Sequence, residues 1–356
     1  MKIIIYFLTF GYVIFFSGCD EYLFALSNEK TASTSLTQSG IKEYNGPGSK
    51  WELTLHDYAS FTLREEESFS ISMSGDYAVN RAGFHKLSVT TSTNPSLSLT
   101  QAYLLQIPDV LIVSQPLVDD ANYSQLISMI PGGNCHNANI YNNWIDIKRD
   151  LNSSSDPIFG TFTSVYENAT ASLPNRFDII AADLGEGNLS EINCNQGIAN
   201  LTDGRVYMHS LGNSILHTGM DTPTDDSDDS FLVSIPAQEI NGIAALADEY
   251  RGFVYDSVLN QTSPISMTLL TDGTGIGYKY TDVDNEVLDT TPIKLLVNQV
   301  NQPLRGFVNL GLNGAQSRCV FHADLSASGK KVLLCTGDNP TKPGVGNIYT
   351  MLCISK

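Results

Sequence analysis

The hydrophobic and polar residues of this chain alternate with a period close to two over much of its length. The stretch WELTLHDYASFTLREEESFSISMS (51–74) shows this pattern, and a half-buried strand produces it because successive side chains point to opposite faces of the sheet. The alternation returns in HKLSVTTST (85–93), AYLLQIPDVLIVSQPL (102–117) and RFDIIAADL (176–184), between turns such as NPS, PGG and LGEGN. The pattern predicts an all-β, mainly antiparallel fold built from sandwich-like or barrel-like domains.

Helical periodicity is scarce in this sequence. Only Ala121–Ile130 and Ile240–Tyr250 have a spacing of apolar residues that suits a helix. We therefore predict at most two short helices among the strands.

An acidic stretch suggests a boundary between two domains. Residues 219–230, GMDTPTDDSDDS, hold five aspartates and no large apolar side chain except Met220, which is typical of a linker or long loop. We predict a β-rich domain over 51–218, an acidic linker or loop over 219–231, and a second β-rich domain over 232–356. The second domain has a short helix or turn, then EYRGFVYD (249–256), then hairpins, and in this order it resembles lipocalin-like barrels.

The first nineteen residues have the layout of an export signal. Lys2 precedes the apolar run Ile3–Phe16, which ends in Ser17-Gly18-Cys19; a short positive segment, an apolar segment and small residues describe a secretory signal. The run is shorter than the ~20 apolar residues that a spanning helix needs. This layout is compatible with an ordinary cleaved signal, with an uncleaved anchor, or with the signal of a lipoprotein.

Phe16-Ser17-Gly18-Cys19 resembles the lipobox of bacterial lipoprotein precursors. The resemblance implies that 1–18 is a signal peptide, that cleavage occurs before Cys19, and that this cysteine receives a diacyl group and its new amino terminus a palmitate-like chain. Two or more acyl chains hold a protein firmly on a membrane, whereas one chain holds it only marginally. The partner implied at this end of the chain is a membrane.

Residues 19–50 continue with Ser, Thr, Asn, Gln and Gly and few large apolar residues. This composition is typical of a flexible tether between a membrane and a folded body. We expect a lipid-anchored protein on the extracytoplasmic face of a bacterial cell envelope. Asp20 favours the inner membrane in some Gram-negative bacteria, and the choice between inner and outer membrane stays open.

The charge of the chain excludes one class of partner. Asp and Glu number 38 against 20 Lys and Arg, a formal net charge of −18. An acidic body repels phosphate backbones, so we predict no nucleic-acid binding. Charged residues make up only 16% of the chain. A polar surface of Ser, Thr and Asn is more typical of extracytoplasmic β proteins than of cytosolic helical enzymes. No cofactor motif occurs, and we predict no cofactor.

The five cysteines beyond Cys19 predict disulfides rather than a metal site. None has the CxxC or CxH spacing of a zinc site, and thiols pair in an oxidising compartment. Cys319 and Cys335 flank a hairpin centred on residue 327, which places them opposite one another at disulfide distance. Cys135 and Cys194 are then predicted to form a second pair, with Cys353 free or as an alternative partner of Cys319 or Cys335.

Two clusters are candidates for binding. TDVDNEVLD holds Asp282, Asp284, Glu286 and Asp289, alternating acids that resemble the start of a calcium loop, although the alternative is a solvated loop. CHNANIYNNWIDIKRD (135–150) concentrates aromatic and amide residues, as binding surfaces for sugars or proteins do. Its Tyr141 and Trp144 are candidate contact residues, with a position in a strand core as the alternative.

These observations favour a non-catalytic function. The chain has no G-x-S-x-G elbow. A catalytic triad could draw on any of its six histidines, because triad members need not be close in sequence, but each of them is also compatible with an ordinary polar strand residue. We expect a binding or envelope-interaction module whose partner is a protein, a glycan or a small molecule. A lipocalin-like carrier of a small apolar ligand within 232–356 is the second hypothesis. An envelope hydrolase of unrecognised type is the third.

Overall fold

The computed structural model describes residues 42–45, 51–65, 72–94, 101–117, 126–131, 140–148, 159–165, 176–181, 189–195, 198–201, 204–211, 214–221, 230–236, 238–301, 305–340, 342 and 347–356. Residues Glu43–Lys356 form one compact unit.

The described residues form twenty-five strands in three sheets. The first sheet holds β1–β8: Lys42–Asn45, Trp51–Leu55, Ser60–Glu65, Ser72–Val79, His85–Ser92, Gln101–Ile107, Leu111–Ser114 and Ile127–Pro131. The second holds β9–β16: Ile140–Lys148, Phe159–Val165, Arg176–Ala181, Leu189–Asn195, Ile198–Leu201, Gly204–Leu211, Ser214–Asp221 and Ser230–Pro236. The third holds β17–β25: Asp248–Asp256, Gln261–Leu269, Thr274–Asp282, Val287–Leu288, Ile293–Val300, Phe307–Leu312, Ala315–His322, Val332–Asp338 and Ile348–Ser355.

All three sheets are antiparallel and close on themselves in chain order. The first and second are closed barrels of eight strands. In the third, β18 pairs with β17 and β19, and β25 pairs with β17, so that every strand except the short β20 belongs to a ring of eight. Neighbouring strands in each barrel are therefore mostly neighbours in the chain, which is the up-and-down connectivity. The predicted all-β, barrel-like fold is confirmed.

The strand pairing groups the chain differently from the domain boundaries predicted over 219–231. Residues 219–221 of this stretch belong to β15 and residues 230–231 belong to β16, and the two strands pair with each other through His217↔Ser234 and Thr218↔Val233. Strand β16 also pairs with β9 and closes the second barrel. The third sheet begins only with β17 at Asp248.

The third barrel is filled by its own side chains. Alternate residues of each strand point inward, as Tyr250, Met267, Phe321 and Tyr349 do, and none of the buried residues in this cluster is more than 4% exposed. The interior of a barrel of eight strands is just wide enough for side chains to fill it. A 3-10 helix at Ile243–Leu246 adds Leu246 to the cluster.

A separate apolar layer joins the outer faces of the first and third barrels. Leu105 and Val113 on the first barrel and Leu352 on the third belong to one buried cluster. Within this layer the rings of Phe84 and Phe253 meet edge to face, with 5.4 Å between their centroids. A short 3-10 turn at Leu325–Ala327 adds Leu325 to the layer. Successive side chains of a strand point to opposite faces of the sheet. The strand residues of this layer therefore alternate along each strand with the residues that fill the barrel.

The prediction of a helix over Ile240–Tyr250 was wrong except for one turn. Only Ile243–Leu246 is helical, as a 3-10 helix, and Gly242 before it has a φ of 85°. Residues 248–250 begin β17, whose backbone pairs with β18 on one side and β25 on the other. Residues 127–130 of the other expected helix lie in β8, and 121–125 lie outside the described residues. Ladder pairing with distant strands outweighs the local helical spacing.

The hairpin disulfide predicted from sequence is confirmed. Cys319 on β23 and Cys335 on β24 are directly paired in the ladder, with 4.0 Å between their Cα atoms and a bond between their sulfur atoms. Cys353 on β25 is a buried free thiol, and its burial raises the pKa of the thiol. The Cys135–Cys194 pair stays a prediction, since residue 135 lies outside the described residues.

Within the described part of the chain, no helix is both long enough and apolar enough to cross a membrane.

Candidate functional site

Strands β18 and β19 separate near one end of the third barrel. Their paired register ends at Ile265↔Lys279, yet β18 extends back to Gln261 and β19 extends on to Asp282. The next pair in this register would join Pro264 to Tyr280. Proline has no backbone N–H to donate, so the ladder stops there and the two strands diverge.

A groove of about 480 Å³ lies where the two strands diverge. Its long walls are residues 261–264 of β18 and 280–282 of β19, and the turn 283–285 closes one side. Gln101, Tyr103 and Gln115 of the first barrel complete the lining. Hydroxyl, amide and carboxylate groups dominate, with neither histidine nor cysteine among the lining residues.

Gln115 ties the first barrel to the edge of β18. Its side-chain Nε2 donates to the backbone oxygen of Thr262 at 3.1 Å, and its Oε1 accepts from the backbone N–H of Tyr103 at 3.3 Å. The amide therefore occupies part of the position that a neighbouring strand would take. This bridge fixes the distance between the two barrels at the groove.

The turn after β19 is held by the first barrel as well. Lys86 donates to Oδ2 of Asp284 at 2.5 Å, and Nδ2 of Asn80 contacts Oδ1 of the same carboxylate at 3.4 Å. Asn80 also donates to the backbone oxygen of Val283. Two polar side chains thus fix a turn that lies some two hundred residues further along the chain.

Two tyrosines form the aromatic part of the groove. Tyr280 packs edge to face on Phe84, with 5.6 Å between ring centroids. Its ring therefore contacts the apolar layer between the barrels. Tyr103 has its ring 6.0 Å from the Lys86 ammonium. Burial raises the pKa of Tyr103 to about 12, and its hydrogen bond to Asp284 acts in the same direction.

The two acids of the groove differ in their surroundings. The hydrogen bond from Lys86 holds the pKa of Asp284 below its ordinary value, and the lysine offsets its charge. Asp282 accepts from the side chain of Asn285 at 2.7 Å and from its backbone N–H at 3.1 Å, and these bonds lower the pKa of Asp282. Asp282 carries an exposed negative charge at the end of the groove.

A buried polar cluster lies inside the third barrel close to the groove. Asp256 accepts from the Asn339 side chain at 2.7 Å and from two backbone N–H groups of its own turn. Lys279 lies 3.6 Å from the same carboxylate and 5.6 Å from the Tyr349 ring centroid. These contacts satisfy the buried charge and hold the ends of β17 and β19 together.

The structure does not bring the four predicted calcium ligands together. Asp284 turns toward Lys86, Asp282 binds Asn285, and Asp289 accepts the backbone N–H of Thr291 at 3.1 Å. Of the four, only Asp282 and Asp284 line the groove. Among the described residues no group of three or more His, Cys, Asp or Glu side chains is placed to hold a metal.

The other predicted contact residues lie in the second barrel or beyond the described chain. Tyr141 and Trp144 are in β9, where their backbones pair with Thr163 and Gly160 of β10. Cys19 lies outside the described residues. The candidate contacts at Tyr141 and Trp144 and the lipidation of Cys19 therefore remain predictions.

Three histidines belong to the described part with their side chains, and they lie apart. His56 contacts the Thr62 hydroxyl at 3.3 Å, His85 packs its ring on Tyr77, and His322 accepts the backbone N–H of Asp324. None lines the groove. The hydrolase hypothesis gains no support from their positions.

We expect the folded protein to become less stable at acid pH because of two of these histidines. Burial lowers the pKa of His85 and His322 below the ordinary 6.5. Above that pH both side chains are neutral in the folded and unfolded states; below it the unfolded chain binds protons that the folded chain resists, so stability falls. The free energy of unfolding measured by urea titration should decrease from pH 7.5 to 5.5, with a smaller slope in His85→Gln. Equal slopes in both proteins would contradict the assignment to His85.

The sequence held one signal for the groove that pattern reasoning missed. Pro264 interrupts the alternating run QTSPISMTL of β18, and a proline inside a strand marks a place where a ladder ends. The amides of Gln101, Gln115 and Gln261 carried no signal, because they come together only through the packing of two barrels.

No protein-family model and no curated protein matches this sequence. One solved structure that resembles it is a protein of unknown function from the DUF3598 family of Nostoc punctiforme, with 10% sequence identity and a TM-score of 0.24. The match covers 62% of this chain and 96% of that chain.

Proposed function

We propose that this protein is a lipid-anchored, extracytoplasmic lipoprotein of a bacterial envelope that acts as a non-catalytic binding module. Support for the anchor comes from Lys2, the apolar run Ile3–Phe16 and Cys19. Support for the binding function comes from the groove between β18 and β19. Its walls are fixed from the first barrel by Gln115, Asn80 and Lys86, which is the preorganisation that a binding site needs.

The interior of the third barrel offers less support for a carrier of apolar ligands. Its up-and-down connectivity is the one that the lipocalin-like hypothesis requires. Inward-facing residues of this barrel form one buried apolar cluster, and none of its buried members lines the groove. The polar groove is therefore the favoured ligand position.

The anchor predicts a change of location when Cys19 is replaced. The full precursor expressed in a bacterium should partition into the detergent phase of Triton X-114, with a mass that shows acylation at Cys19 and loss of residues 1–18. Cys19→Ser should move the protein to the aqueous phase, because its lipid attachment site is gone. A wild-type protein that lacks acyl mass would contradict the lipoprotein proposal.

The binding function is tested with a variant that blocks the groove. The full chain is immobilised and offered two soluble panels, a pentapeptide library and a panel of cell-wall oligosaccharides. Gln261→Trp places a large side chain at the groove wall, whereas Leu259→Trp places it on the same hairpin at a residue 61% exposed and outside the lining. Retention of one panel by wild type and Leu259→Trp, and its loss in Gln261→Trp, supports the proposal. Absence of retention, or equal retention by all three proteins, contradicts it.

A further inference from the structure

We propose that the groove takes an extended polypeptide segment with a lysine or arginine side chain, bound between β18 and β19 as an added strand. This inference rests on the proposed binding function and names its ligand class.

The backbone geometry of the walls suits an added strand. A strand has two hydrogen-bonding edges. Residues 280–282 of β19 use one edge for β20, through Tyr280↔Leu288 and Asp282↔Val287. Their other edge faces β18 across the groove, beyond the last β18–β19 pair at Ile265↔Lys279. A strand edge of this kind pairs with an extended chain, whose backbone supplies much of the affinity.

The two strands are also kept apart by specific residues. Pro264 offers no N–H to Tyr280, so the β18–β19 ladder cannot continue by one further pair. The Gln115 amide holds the backbone oxygen of Thr262 on the β18 side. An amide side chain in this position imitates the N–H of a strand, and a peptide N–H of the same geometry can take its place.

The length of the walls sets the length of the segment. Residues 261–264 of β18 form the longer wall. At about 3.3 Å per residue this wall accommodates a segment of roughly three to four residues in extended conformation. A pentapeptide therefore spans the groove and leaves its termini in solvent.

The charge at the groove selects a basic segment. Lys86 offsets the charge of Asp284, whereas Asp282 is an exposed carboxylate at the groove end whose contacts are with Asn285. The chain as a whole has a net charge of −18, which attracts basic segments before contact. A cation on the bound segment near Asp282 completes the site.

The test uses a fluorescent pentapeptide library of the form X-X-Lys-X-X and fluorescence anisotropy with the full-length protein. The best peptide is resynthesised with norleucine in place of lysine, and with single N-methyl groups at each backbone nitrogen. We expect about tenfold weaker binding for N-methylation at nitrogens that face β19 and at the nitrogen that replaces the Gln115 amide on the backbone oxygen of Thr262, since each removes one hydrogen bond, and no change at the remaining nitrogens. We expect about fivefold weaker binding for norleucine.

The matched protein variants are Asp282→Asn and Asp272→Asn. Both aspartates are exposed and accept a backbone N–H, Asp282 at the end of β19 from Asn285 and Asp272 in the turn before β19 from Thr274, and only Asp282 lines the groove. Asp282→Asn should weaken binding about fivefold and remove the preference for lysine, while Asp272→Asn should change neither.

Three results overturn the inference. A library without binders, binding that tolerates every N-methyl group, or equal effects of the two aspartate variants would each do so. If oligosaccharides are retained at the groove and peptides are not, the ligand class is wrong and the binding function stands. If neither panel is retained, the binding function fails as well.

Discussion

Replacing Phe253 with alanine is expected to lower the free energy of unfolding by about 3–5 kcal/mol, the usual cost of removing a fully buried aromatic ring. Phe253 has no exposed surface and lies in the apolar layer between the first and third barrels. It also contacts Phe84 edge to face. The loss combines the transfer of a ring to water with the cavity that rigid barrel walls cannot close. Urea titration followed by circular dichroism measures it.

A double-mutant cycle with Phe84→Ala separates the ring contact from the cavity. The two single changes and the double change should give a coupling of about 0.5–1.5 kcal/mol, the range of edge-to-face aromatic pairs. Leu270→Ala is the matched surface control, since Leu270 is 53% exposed, and should stay within about 0.5 kcal/mol of wild type. A small effect of Phe253→Ala, close to that control, would show that the layer contributes little to stability.

Loss of the Cys319–Cys335 bond is expected to cost about 3 kcal/mol, the loop-entropy value for a separation near fifteen residues. The separation here is 16 residues. The bond joins neighbouring strands of the third barrel, so its removal frees the hairpin 319–335 in the unfolded chain. The double variant Cys319→Ala/Cys335→Ala should reach its urea midpoint earlier than the oxidised wild type.

Reduced wild-type protein is the control for this measurement, because it loses the bond and keeps both sulfur atoms. Wild type and the alanine variant, both measured under reducing conditions so that no other disulfide distinguishes them, should agree within about 1 kcal/mol, the packing difference of two small side chains. Iodoacetamide should leave Cys353 unmodified until the protein is unfolded, since the thiol is buried and the thiolate is the reactive form. Labelling of Cys353 in the native state, or an alanine variant as stable as oxidised wild type, would contradict these assignments.

Elements with a local cause could be predicted from the amino-acid sequence. Alternation with period two is a property of each strand, so the strands around 51–65, 85–92 and 101–114 were predictable one by one. The Cys319–Cys335 bond was predictable because a hairpin centred on residue 327 brings its own two arms into register. The same local reasoning placed a helix at Ile240–Tyr250, and it erred where β17 acquires partners on both sides.

Features that depend on distant partners are set by contacts in the folded protein. The order of strands in three closed barrels is set by pairs such as Tyr250↔Ser355, which no local pattern contains. Asp284 was predicted as a calcium ligand because its neighbours in sequence are acids, yet Lys86, almost two hundred residues away, binds it instead. The groove itself exists because Pro264 stops one ladder and Gln115 of another barrel holds the freed edge. Hydrogen bonds and apolar contacts act over a few ångströms in space, so local sequence specifies only those between residues that the chain already holds close together.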